Sequence, residues 1–137
     1  MNGKQGQVIQ YPASVYLTVN GQTSHFIGTM AWQGEEILVS FGEMQGFAST
    51  KTHFSVRENR VEMVKSGEFS TRICFTQGAK ERVELQTAMG AIPVTVLTTR
   101  LAVKAGQDAV FLRLSYTLSA GVEDQSFNVT LRARKNV

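Results

Sequence analysis

Turn signals punctuate this chain at short intervals, and no other feature constrains its fold as much. They fall at Asn20–Gly21, Gln33–Gly34, Glu58–Asn59, Ser66–Gly67, Gln77–Gly78, Met89–Gly90, Ala105–Gly106 and Ala120–Gly121, with Gly42 and Gly46 between them. The intervening segments are rich in Val, Ile, Leu, Thr, Phe and Tyr. That rhythm belongs to a meander of short strands rather than to helices. Asn20–Gly21 is the strongest hairpin turn, because a type I′ turn needs positive φ at both central residues.

The segments alternate with the period of a half-buried strand. Val110, Leu112, Leu114, Tyr116 and Leu118 share one face, and Arg113, Ser115 and Thr117 the other, with Phe111 as the exception. Phe127, Val129, Leu131 and Ala133 alternate with Asn128, Thr130, Arg132 and Arg134. Phe69, Thr71, Ile73 and Phe75 alternate with Ser70, Arg72, Cys74 and Thr76. Lys80–Ala88 is made of good helix formers, yet Val83 and Leu85 lie two apart, which favours a strand. Pro93 cannot donate to a ladder and belongs at a strand start or a bulge. In each strand the more apolar face is expected to point inward.

With 137 residues the chain suits a single domain, 1–137, with residues 1–12 expected to fray. A domain of this size buries roughly 68–70% of its unfolded surface, so it needs no staples. Many extended segments must dispose of their sheet edges, and closure does so most completely. The expected fold is all-β, an antiparallel up-and-down barrel of about eight to ten strands. The interior of such a barrel is filled by side chains or holds one small ligand.

Cys74 is the only cysteine, so no intrachain disulfide exists and a reducing compartment is expected. The first residues lack the charged and apolar regions of a signal peptide, and no apolar run is long enough to span a bilayer as a helix. The chain therefore reads as a soluble, cytoplasmic, bacterial protein without a membrane partner. The net charge of +3 is mildly basic, and the cluster Arg132, Arg134 and Lys135 reads as a solvated tail.

Few residues suggest chemistry. His25, His53 and Cys74 lack ligand-like spacing, so no metal and no cofactor are expected. Each histidine precedes a phenylalanine and should point to solvent. No nucleophile elbow or phosphate loop occurs. Glu35, Glu36 and Glu43 read as turn carboxylates in water, and no residue is assigned as catalytic. Arg72, Arg100 and Arg113 sit within strands and can line a site for an anionic group. Nucleic acid is not expected as a partner, because only Tyr16 and Phe111 interleave with the basic residues. Trp32 lies at a strand end, where it would plug or wall a barrel mouth.

The order Val61-Glu62-Met63-Val64-Lys65-Ser66-Gly67, Phe75-Thr76-Gln77-Gly78, Met89-Gly90, Leu114-Ser115-Tyr116-Thr117-Leu118 and Asn128-Val129-Thr130-Leu131 resembles the YwiB-like family of uncharacterised bacterial proteins. The resemblance runs from about Val15 to Arg134 and implies a lipocalin-like, calycin-type barrel. Lys65 stands where that family commonly has arginine, and Met89 where it commonly has an aromatic residue. If those positions hold an anion and wall a pocket, Lys65 keeps charge without bidentate geometry and Met89 makes a softer wall.

Three functions compete. The first is a barrel holding a small apolar or amphiphilic ligand, with Trp32, Phe75, Met89, Leu114 and Tyr116 as candidate contacts and Arg72, Arg100 and Arg113 for a polar part. The second is a structural or interaction module, such as a homodimer, without a ligand cavity. The third, least favoured, is an enzyme acting on an anionic substrate.

Overall fold

A computed structural model describes residues 9–45, 48–67 and 70–136. The alternating segments become ten strands: β1 (Gln10–Val19), β2 (Gln22–Gln33), β3 (Glu36–Gln45), β4 (Ala48–Val56), β5 (Arg60–Ser66), β6 (Thr71–Thr76), β7 (Lys80–Thr87), β8 (Gly90–Ala105), β9 (Ala109–Ala120) and β10 (Glu123–Lys135). They form one antiparallel sheet in the order β6-β5-β4-β3-β2-β1-β10-β9-β8-β7. Every strand but two pairs with both chain neighbours or, for β1 and β10, with each other. The sheet curls into a nearly closed barrel whose two edges, β6 and β7, come together at a seam.

Local chemistry explains the elements. Asn20 and Gly21 adopt φ of 49° and 87°, as the hairpin turn requires. The Asn20 side chain then accepts a hydrogen bond from the Asn128 amide, tying the β1–β2 turn to β10. Lys80–Thr87 is a strand because Val83 and Leu85 pack on the core, and that contact overrides helix propensity. Pro93 lies where β8 has run past the end of β9 and pairs with Glu84 alone, so it breaks no ladder with β9. Gly28 adjoins the end of the β2–β3 ladder, and a methyl there would overlap the Ser40 carbonyl oxygen.

The barrel seam is closed at one end by a side chain. β8 carries a bulge between Thr98 and Arg100. Gln77 bridges it: its amide donates to the Thr99 carbonyl at 3.4 Å and accepts from the Leu101 amide at 2.7 Å. The carboxamide thus takes the place of a missing peptide group.

The core is continuous. Val15, Val39, Phe54, Val61, Phe75, Leu112, Leu114 and Leu131 are fully buried on the inward faces. Each large apolar side chain so placed contributes about 1.5–3 kcal/mol. Residues 1–8, Gly46 and Phe69 lie outside the described residues. The expectation of a frayed segment to residue 12 is corrected where it can be seen. Gln10–Pro12 belong to β1, and Pro12 accepts a hydrogen bond from the Asn136 amide.

Candidate functional site

Alternate turns of a meander share one end of the barrel. The β2–β3, β4–β5 and β8–β9 turns therefore meet beside the start of β1 and the end of β10. Their tips frame an open cleft of about 570 Å³ at the barrel mouth. Its floor is apolar, from Ile37, Val56, Val103 and Ala105, and its rim is polar, from Glu35, Arg57, Glu58 and Asn59. Arg57 is tethered to Glu36 at 3.3 Å.

Trp32 lies at the same end. Its ring meets that of Tyr11 edge-on at 6.0 Å. The Lys135 ammonium sits 4.4 Å from the Tyr11 ring centre and 5.9 Å from that of Trp32. Asp108 holds the ammonium at 3.2 Å. This group is a cation–π clasp in which a fixed charge rests on two aromatic faces.

Deeper in the barrel the candidate contacts are packing residues. Phe75 and Leu114 are fully buried, and Phe75 lies against Tyr116 at 4.7 Å. Tyr116 stacks on Phe127 at 5.1 Å, and burial raises its phenol pKa to about 12. Met89 is 93% exposed at the β7–β8 turn, at the end opposite the mouth. The structure does not bring Trp32, Phe75, Met89, Leu114 and Tyr116 together around one space.

The three candidate arginines face outward and separate into two groups. Arg72 is on β6, with Glu62 at 4.0 Å. Beside it, Cys74 accepts a hydrogen bond from Arg60 and donates one to Glu62, each at 3.4 Å. That hydrogen bond with Cys74 raises the pKa of the exposed Arg60 guanidinium. Arg100 and Arg113 lie across the seam on β8 and β9, where they line a shallow groove with Ser115, Asn128 and Thr130. His25 and His53 are exposed, and Nδ1 of His53 hydrogen-bonds Ser40 Oγ at 2.7 Å. Among the described residues no three His, Cys, Asp or Glu side chains gather as a metal site would require. Nor is there, among them, a helix long and apolar enough to cross a membrane.

The wall that carries Arg100 and Arg113 holds a second open cleft, of about 660 Å³, lined by Tyr16, Lys104, Ala109, Phe111, Arg132 and Arg134 among others. Strand register assembles it. His25 pairs with Tyr16, Tyr16 with Arg132, Arg132 with Phe111, and Phe111 with Lys104, giving one row across five strands. Tyr16 stacks on His25 at 4.5 Å, and the Arg132 guanidinium lies 5.5 Å from the Tyr16 ring centre. The sequence reading treated Arg132 and Arg134 as a solvated tail. The signal it passed over is the scarcity of acid: apart from Asp108, none occurs between Leu85 and Val122. The mouth residues were also missed, although alternate turn positions mark them.

Comparison with known proteins agrees with this architecture. The crystal structure of ywiB protein from Bacillus subtilis superposes with a TM-score of 0.82 over 99% of this chain and 100% of that one, at 14% sequence identity. At that identity the likeness speaks for the fold alone. No curated protein matches the chain. The family model described as a domain of unknown function, DUF1934, matches residues 16–131, and the chain belongs to that family.

Proposed function

We infer that the chain is a non-enzymatic binding barrel that takes a small amphiphilic molecule at its mouth rather than deep inside. The observation that carries this reading is the mouth cleft, where an apolar floor of Ile37, Val56 and Val103 meets a polar rim. Its volume of about 570 Å³ falls in the range of small-molecule sites. The rim holds Glu35 and Glu58 against the single cation Arg57, which Glu36 already engages. An apolar chain would lie on the floor, and a neutral or cationic head would suit the rim better than a carboxylate.

The test is a titration with three twelve-carbon probes, a maltoside, a trimethylammonium and a carboxylate, all below their micellar concentrations. Binding is read by calorimetry and by Trp32 fluorescence. The expected order is maltoside and ammonium above carboxylate, with Val103→Glu abolishing uptake. No uptake of any probe, or uptake indifferent to Val103→Glu, sinks the proposal.

A second reading, an interaction module, is favoured by the opposite end of the barrel. There Met89, Ile92 and Val122 are exposed on hairpin tips, Val122 fully. A homodimer through those tips would appear in sedimentation and disappear on Val122→Asp.

A further inference from the structure

The barrel divides its charge between two walls. Strands β1, β2, β8 and β9 contain no Asp or Glu, and β10 has only Glu123 and Asp124, at its first two positions. On that wall Arg134, Arg132, Arg113 and Arg100 fall on successive outward rows. The first two are on β10, the third on β9 and the fourth on β8, so they form a diagonal stripe. Rows lie about 7 Å apart along a strand and neighbouring strands about 4.8 Å apart, so each step of the stripe is roughly 7–8 Å. An extended sugar–phosphate chain can follow that spacing. Among the described residues none of the four is in an ion pair. Tyr16 and Phe111 flank Arg132 in its row, one strand away on either side. Arg113 also approaches the Phe111 ring, at 5.9 Å.

We propose that this wall binds single-stranded nucleic acid, independently of the mouth. The arginines of the stripe would take successive phosphates, as charge-assisted donors do. Tyr16 and Phe111, with the open cleft beside Ala109, would receive unpaired bases. Charge complementarity selects a polyanion, and the aromatic rings between the arginines select one with exposed planar faces. A duplex keeps its base faces hidden. An anionic membrane would call for apolar anchors, and Ile27 is the only large aliphatic side chain exposed among these outward rows. In the sequence only Tyr16 and Phe111 interleave with the basic residues, too thin a pattern to suggest nucleic acid. The β1–β10–β9 register brings them to about 10 Å.

The experiment is fluorescence anisotropy of the full chain with a labelled oligouridylate roughly 15 nucleotides long. The competitors are the matching duplex, polyglutamate and vesicles of anionic phospholipid. Binding should weaken with salt at about −0.7 in log–log slope per neutralised phosphate, or between −2 and −3 for the stripe. The double variant Arg113→Glu with Arg132→Glu should lower affinity at least about 100-fold. Each of Tyr16→Ala and Phe111→Ala should lower it by about 5- to 100-fold, the range for losing one stacked base. Lys51→Glu, exposed on β4, four strands from both β8 and β10, should change affinity less than about 2-fold. Thermal melting of each variant checks that it is folded. The proposal fails if the oligouridylate does not bind at low salt, or if the double variant binds normally. It also fails if polyglutamate, duplex or vesicles compete equally well, which would leave only a general polyanion or membrane face.

Discussion

Tyr116 shows how far a single residue can be read from its neighbours. Alternation with Leu112 and Leu114 sets its inward direction, and it is buried there. What alternation cannot give is the filling of the space it points into. Phe75 comes from β6 and Phe127 from β10: register pairs Phe127 with Tyr116, and the curl of the sheet brings Phe75 against the same ring. Burial disfavours the phenolate and raises the pKa to about 12, from an ordinary value of 10.0. The unfolded chain therefore loses this proton first as pH rises. The stabilising preference for the protonated form is complete below about pH 10 and is lost between about pH 10 and 12, a span worth roughly 2–3 kcal/mol. Urea denaturation should show stability falling through that window. Tyr116→Phe should remove this component of the fall while keeping the ring packing. An unchanged alkaline profile in the phenylalanine variant would mean that the loss comes from other groups.

At the scale of elements, the strands were legible and their joints were not. Period-two alternation identified β7 against its own helix propensity, because Val83 and Leu85 both need the core. The turn pairs located the hairpins. Two close-fitting positions in the sheet left no such mark. Gly28 looks like any strand glycine until the Ser40 carbonyl is seen against it. Gln77 looks like a polar turn residue until the bulge at Thr98 and Arg100 leaves a carbonyl and an amide for it to satisfy. Gly28→Ala should cost about 1–3 kcal/mol, since the clash is with backbone and cannot be relieved by a rotamer. Gln77→Leu should cost about 1 kcal/mol, because water reaches this exposed site and replaces part of what is lost. Thermal or chemical denaturation measures both. A Gln77→Leu protein as stable as the parent would show that the bulge does not depend on the bridge.

For the whole molecule, the meander predicted which strands are neighbours along the chain, and only closure brings β1 onto β10. That one pairing unites the acid-free segments at the two ends of the chain into a single basic wall. It is also why the sequence, read in order, suggested two scattered aromatics instead of a row. Closure is incomplete where β6 and β7 meet. Each pairs with one neighbour, and contact between them is slight beside that of laddered strands. β7 guards its free side with Lys80, Glu81, Arg82 and Glu84, all exposed, and charge on an edge discourages pairing with another chain. Stability should follow the same gradient. β1, β9 and β10 are laddered on both sides and carry Val15, Leu112, Leu114 and Leu131 in the core, whereas β7 is laddered on one side and half-buried at best. Amide hydrogen exchange should therefore be slowest in β9 and β10 and fastest in β7, with β6 next, since local opening needs fewer contacts broken there. The difference should exceed about 10-fold in protection, equivalent to roughly 1.4 kcal/mol of opening free energy. Equal protection across the seam would mean that β6 and β7 open only with the whole barrel, and that the Gln77 bridge and the core contacts of Val83 and Leu85 close it as firmly as a ladder would.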